Sequence, residues 1–174
     1  MELTGSIFVP SRNGLSKNIT NTVPFKRRKG TQMEKLADTT KALMDERFGH
    51  DFILPLATVE DGIPHVRNVD AYYKDGSFYV ITYGLSNKMQ QISKNPAVAV
   101  CGDWFTGHGE GINLGYIGKP ENKEIADMLK KAFASWIDNG HTNFEDENTC
   151  ILRVRLTDGV LFSHGIRYDI DFTM

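Results

Sequence analysis

The sequence predicts a mainly β protein with helices, of the α+β class, whose strands form an antiparallel meander in a barrel or sandwich. Residues 52–59, 64–73 and 78–82 are apolar or alternating runs of strand length. Asp61-Gly62 and Lys74-Asp75-Gly76 join them by tight hairpin signals. Two other stretches, residues 33–48 and 118–140, repeat their apolar residues at helical spacing instead.

Each element follows from its own pattern. In residues 33–48, Met33, Leu36, Ala37, Leu43, Met44 and Phe48 form an apolar stripe, and Gly49 ends the helix. Residues 64–73 alternate so that His65, Arg67 and Val69 share one face. The strand 78–82 leads into Thr82-Tyr83-Gly84-Leu85-Ser86-Asn87-Lys88, where a short helix starts at Ser86, turns Met89 and Ile92 inward and ends at Asn95-Pro96. Residues 97–101 resume a strand. Thr106-Gly107-His108-Gly109-Glu110-Gly111 reads as a flexible connection before a further strand at 113–117.

The second long helix opens at Gly118-Lys119-Pro120, carries Ile125, Met128, Leu129, Ala132, Phe133, Trp136 and Ile137 at helical spacing, and is capped at Gly140. Cys150, Leu152, Val154 and Leu156 then alternate with Ile151, Arg153 and Arg155, as in a half-buried strand. Residues 159–162 and 168–172 read as a hairpin around Ser163-His164-Gly165. No internal repeat or second domain is visible, which leaves one domain over residues 33–174. Residues 1–32, rich in Ser, Asn, Thr and Gly, read as an N-terminal leader. The alternative is an arm that packs on a partner through Ile7, Phe8, Val9 and Phe25.

Composition narrows the function. A chain of 174 residues can bury a core without disulfides or metals. A formal charge of −2 gives no support for nucleic-acid or membrane-surface binding, and the run Lys26-Arg27-Arg28-Lys29 is too short to change that. No apolar run approaches the roughly 18 residues of a spanning helix, so a cytoplasmic protein is expected. Cys101 and Cys150 lie in apolar, strand-like runs and read as buried free thiols, with a disulfide left open. Histidines 50, 65, 108, 141 and 164 have no metal-ligand spacing, and no metal is expected.

The chemistry concentrates at the start of the short helix. A helix N-terminus offers free N–H groups and the positive end of a dipole, which suits a phosphate. Ser86 can cap that end, and Lys88 adds a cation that capping does not require. Arg67, on a preceding strand, supplies a planar fork for the same phosphate. Singly, Arg67 reads as a surface strand residue and Lys88 as a solvated helix residue; together with Ser86 they read as a phosphate clamp. His65 reads as a surface histidine or one aimed at a ligand edge. His108 and Glu110 read as a plain loop or a lid. Tyr72, Tyr73, Tyr83, Trp104 and Phe105 read as core or as an aromatic wall.

An ordered series of segments carries a resemblance. Ala57-Thr58-Val59, Asp61-Gly62-Ile63-Pro64, Val66-Arg67-Asn68-Val69, Tyr79-Val80-Ile81-Thr82 and Ser86-Asn87-Lys88 are followed by Gln91-Ile92, Asn95-Pro96-Ala97-Val98 and Ile117-Gly118-Lys119. In that order and spacing the chain resembles the pyridoxamine 5′-phosphate oxidase-like family. The resemblance implies a six-stranded antiparallel split β-barrel of the FMN-binding type and a homodimer with FMN at the subunit interface. It places Arg67 on the FMN phosphate with Ser86, Asn87 and Lys88. The backbone around Asn68 and Val69 would then run along the flavin or ribityl chain, with Ile81 and Thr82 on the flavin. Asn113 falls where true oxidases carry a glutamine that reaches the flavin across the interface.

The chain departs from those oxidases in two places. Where they grip the substrate phosphate with Tyr, Arg and Ser, this sequence has Lys131, Ser135 and Asn139. Their closing Trp and Arg–His–Arg cluster is replaced by Phe162-Ser163-His164-Gly165-Ile166-Arg167-Tyr168. Vitamin B6 oxidation is therefore not expected, and the likeness is rather to small flavoproteins such as general stress proteins and nitroimidazole-reductase-like members. The function implied is an FMN-dependent oxidoreductase that takes electrons from NAD(P)H and passes them to a small planar acceptor. The alternative is a non-catalytic FMN- or haem-binding stress or carrier protein. Flavin itself accepts and donates hydride, so no catalytic side chain is named.

Overall fold

Each strand-to-strand reversal in the first half of the chain is a two-residue turn with left-handed backbone. The computed structural model describes residues 33–173, with side chains from Asp38 onward. The leader or arm expected over residues 1–32, and the helix-stripe positions Met33, Leu36 and Ala37, lie outside the described residues or side chains. Helix α1 (Met33–Phe48) leads into β1 (Phe52–Glu60), β2 (Ile63–Lys74) and β3 (Ser77–Tyr83). The turns are Asp61-Gly62, with φ of 52° and 77°, and Asp75-Gly76, with φ of 46° and 72°. Such turns match the twist of paired strands.

Helix α2 (Asn87–Lys94), β4 (Ala97–Gly102) and β5 (Phe105–Tyr116) follow, then a 3-10 turn (Pro120–Asn122), α3 (Lys123–Ala132), β6 (Thr149–Ser163) and β7 (Ile166–Asp171). The strands run β3-β2-β1-β4-β5-β6, and β3 pairs with β6, so six antiparallel strands close a barrel. β6 changes partner along its length. Residues 149–155 pair with β3, whereas Asp158–Ser163 pair with β7, an extra strand outside the closed ring.

Two apolar clusters hold this arrangement. Inside the barrel lie Leu54, Leu56, Ala71, Tyr73, Phe78, Val80, Leu152 and Val154, with Met44 and Phe48 of α1 plugging one end. Phe48 meets Phe78 and Phe105 with ring centroids at 5.5 and 5.7 Å, and each fully buried ring contributes about 1.5–3 kcal/mol. Outside the barrel, Ala126, Leu129, Phe133 and Ile137 pack on Tyr79, Ile117 and Ile151. Ile151 is therefore buried against α3 although it lies on the opposite face from Leu152. The half-buried strand expected at 150–156 is buried on both faces there.

Four expectations are corrected. The glycine-rich segment 106–111 is not a connection but the middle of β5. A Cβ at Gly107 would come within 2.7 Å of the Phe105 ring, and one at Gly109 within 2.2 Å of the Arg155 carbonyl oxygen. The glycines thus permit close approach rather than mobility. The second helix stops at Ala132 instead of Gly140. Beyond it, irregular turns in which Trp136 and Ile137 donate to the Phe133 carbonyl keep the same side chains inward. β6 runs unbroken through Thr157, where the register shift between His108 and Gly109 lets Leu156 and Gly159 both face the core. Finally, Cys150 is buried but Cys101 is exposed, and both are free. Among the described residues no helix is long and apolar enough to cross a membrane.

Candidate cofactor site

Strands β1 and β2 and helix α2 bring the predicted clamp together at one end of the barrel. Arg67 and Val69 share the inner face of β2, so the Val69 side chain is buried in the core and offers a ligand only its backbone. Asn68 points the other way and is exposed. Opposite Arg67, β1 presents Leu56 and Thr58 on its inner face. The Arg67 guanidinium donates from Nη1 to Thr58 Oγ1 at 2.6 Å and to the Leu56 carbonyl at 3.3 Å, and from Nη2 to Gln91 Oε1 at 2.9 Å. A guanidinium carries five N–H donors. Three are engaged here, and two remain.

Thr58 and Gln91 are 0% and 4% exposed. Thr58 Oγ1 also donates to Gln91 Oε1 at 2.6 Å, and Gln91 Nε2 donates to Glu60 Oε2 at 3.3 Å. Lys94 Nζ closes the chain on Glu60 Oε1 at 2.7 Å. Lys88 approaches Arg67 from the first turn of α2. Burial, and then the Arg67 charge, hold its amine below the usual lysine range. Burial likewise lowers Arg67. Among the described residues, no carboxylate lies within ion-pair distance of either cation.

Ser86 occupies the N-cap of α2 as expected, but its hydroxyl does not cap. The cap has no side-chain hydrogen bond; its carbonyl accepts the N–H of Met89 at 3.0 Å and of Gln90 at 3.1 Å. The Ser86 Oγ is buried without any partner. Such an atom is costly to leave unpaired. Asn87, the first helical residue, is exposed. Two uncompensated cations, an orphaned hydroxyl and a helix start fit the phosphate of a flavin nucleotide.

The remaining predicted residues take other positions in the barrel. Thr82 is buried, and Ile81 packs toward α3. Asn113 is exposed on β5, separated from β3 by β6, and its Oδ1 accepts the Gly115 N–H at 2.8 Å. His65 is half-buried on the Arg67 face, opposite Thr58. His108 and Glu110 form no lid: His108 Nδ1 lies 2.8 Å from Asp158 Oδ1, and Glu110 pairs with Arg155 on the outer sheet face. Tyr73 and Phe105 are core, whereas Trp104 is 77% exposed at a turn with φ of 61°. Sequence reasoning missed Thr58 and Gln91 as parts of the site. The signal was a polar residue in step with Leu54 and Leu56, and another beside the inward Ile92.

The closed six-stranded antiparallel ring with its flanking helices defines a split-barrel protein of the α+β class. The sequence pattern of the pyridoxamine 5′-phosphate oxidase family matches residues 41–159, and the chain belongs to that family. It is 27% identical to general stress protein 26 of Bacillus subtilis over 120 residues, 67% of this chain and 83% of that protein. Its fold is similar to that of an FAD-binding protein from Mesorhizobium loti, with a TM-score of 0.55 at 16% identity, over 68% of this chain and 90% of the other. It is also similar to that of a haem-binding protein from Mycobacterium smegmatis, with a TM-score of 0.56 at 11% identity, over 84% of this chain and 60% of the other.

Proposed function

We propose that this protein is an FMN-dependent oxidoreductase of the cytoplasm. It acts as a homodimer that holds FMN between its subunits and passes electrons from NAD(P)H to a small planar acceptor. The observation that carries the reading is the approach of Lys88 to Arg67, with no described carboxylate within ion-pair distance of either, in the first turn of the helix that Ser86 opens. Family membership supports it. Bound FMN supplies hydride and single-electron chemistry. The chain's own residues bind and orient: Arg67, Ser86, Asn87 and Lys88 take the phosphate, the backbone at Asn68 and Val69 borders the ribityl chain, and Ile81, Thr82 and the partner's Asn113 border the ring.

A visible spectrum of the purified protein with and without added FMN tests the binding. Flavin bands retained through gel filtration are expected, and loss of those bands in Arg67→Ala/Lys88→Ala. Retention of the colour in the double variant would remove the clamp. A second reading, a non-catalytic carrier of flavin or haem, draws on the haem-binding structural relative. Re-oxidation of the bound flavin by nitroaromatic or quinone acceptors no faster than by air favours the carrier.

A further inference from the structure

Gln91 is the residue through which a carboxylate reaches the anion site without touching it. Its amide is fixed from both ends: Oε1 accepts Arg67 Nη2 at 2.9 Å and Thr58 Oγ1 at 2.6 Å, while Nε2 donates to Glu60 Oε2 at 3.3 Å. The amide cannot turn over without facing two donors with a third and the Glu60 carboxylate with an oxygen. Glu60 is meanwhile held on its other oxygen by Lys94 at 2.7 Å. Among the described residues, the groups that accept from Arg67 are neutral: a hydroxyl, an amide oxygen and a backbone carbonyl.

That neutrality has a consequence for ligand charge. Buried arginines are usually compensated by a carboxylate, which here stands one amide away. A phosphomonoester carries about −1.5 to −2 at pH 7. Two cations left uncompensated match it, whereas one cation would not.

We propose that Gln91 is a positioning residue that aims the Arg67 fork while insulating it from Glu60, so that Arg67 and Lys88 both keep their charge for the phosphate of a flavin nucleotide. The assignment rests on the function proposed above, and it makes the choice of Gln over its near-isostere Glu the feature that sets the site's selectivity for phosphorylated flavin. Gln91→Glu would place a carboxylate directly on the half-buried guanidinium and cancel one of the two cations with almost no change of shape. Gln91→Met would remove the acceptor without adding charge.

The test is a fluorescence titration of the apoprotein with FMN and with riboflavin, which lacks the phosphate. Wild type should prefer FMN. Gln91→Glu should weaken FMN binding roughly ten- to hundredfold and leave riboflavin within about twofold, because the phosphate is the part of the ligand that faces the cancelled charge, while the new carboxylate also replaces the donor to Glu60. Its FMN affinity should recover toward that of wild type as pH falls and the new carboxyl protonates, a profile that a damaged fold would not give. Gln91→Met should weaken FMN binding roughly threefold to tenfold, since orientation but not charge is lost. If Gln91→Glu does not fold, Gln91→Met decides: unchanged FMN affinity, or an equal loss for riboflavin, overturns the proposal. An unchanged preference for FMN in Gln91→Glu overturns it too. If wild type itself does not distinguish FMN from riboflavin, the phosphate reading of the site falls, and the role of Gln91 falls with it.

Discussion

The Thr58 hydroxyl and the Arg67 guanidinium meet at 2.6 Å across the β1–β2 ladder, on the inside of the barrel. Their register explains the contact. Leu56 stands opposite Arg67 and Thr58 opposite His65, so Thr58 is the diagonal neighbour of Arg67 on the same face. A planar cation at the rim of an apolar barrel thus stands on a hydroxyl that is itself fixed by Gln91.

Thr58→Val keeps the shape and removes that hydroxyl. Arg67 Nη1 loses its short bond, and Gln91 Oε1 loses one of two donors. The expected cost is about 1–3 kcal/mol, as for a buried polar group left unpaired, together with a weaker hold on FMN. Urea unfolding and an FMN titration measure the two effects separately. A variant as stable as wild type would show that the hydroxyl is dispensable to the barrel.

Lys88 is expected to oppose stability in the absence of ligand. Burial, and then Arg67, lower its folded-state pKa below that of the unfolded chain. When both states are protonated, the folded state therefore carries the penalty in full. As pH rises from the lowered folded value toward the unfolded one, the unfolded state binds more protons and stability increases. Lys88→Met should raise the Tm of the apoprotein at neutral pH by about 2–4 °C for each kcal/mol relieved, and abolish the stabilisation that FMN gives. The same alkaline gain in stability should vanish in the variant. Thermal scans between neutral pH and pH 10, with and without FMN, read all three effects.

Gly109 is expected to tolerate no side chain, whereas Gly62 should. A Cβ at Gly109 would stand 2.2 Å from the Arg155 carbonyl oxygen and 2.9 Å from its carbon, both backbone atoms of the partner strand. Gly109→Ala must therefore open the β5–β6 ladder, at about 1–3 kcal/mol or more. At Gly62, with φ of 77°, nothing lies within 4 Å, so Gly62→Ala meets only the left-handed penalty of about 1–2 kcal/mol. Denaturation midpoints of the two variants, compared with wild type, rank them.

The parts of the site legible in the sequence were those whose chemistry is out of place locally. Lys88 in the first turn of a helix and Arg67 on a preceding strand each read singly as ordinary surface residues, and only together with Ser86 do they ask for a ligand. Thr58 and Gln91 were not legible as site residues, because each is an ordinary polar residue until strand parity and helix face are known. The alternating glycines of β5 misled for a physical reason. Glycine at every second position reads as chain freedom, yet Gly107, Gly109 and Gly111 stand where Phe105, the Arg155 backbone and Ile92 leave no room. Helical spacing likewise outlived the helix: Phe133 and Ile137 are buried from turns, since burial constrains the side chain and not the hydrogen-bond pattern. The first three strands, their two hairpins and the order of the helices were set by short-range signals and needed no such context.

The outer face of β1 and β2 supports a test of the proposed dimer. Ile53 and Val66 are 61% and 69% exposed, and the cross-strand pair Ala57–Val66 lies on the same face, which no described helix covers. Grouped exposed apolar residues on a sheet mark an interaction surface. If a second copy covers this face, Val66→Glu would bury an unpaired charge in the interface, which costs several kcal/mol and raises the dimer dissociation constant by roughly a hundredfold or more. Light scattering should then give about twice the 19.6 kDa chain mass for wild type and the single mass for the variant. FMN should be lost together with the dimer, because the proposed site takes residues from both subunits. A monomeric variant that still holds FMN would place the whole cofactor site on one chain and remove Asn113 of the partner subunit from it.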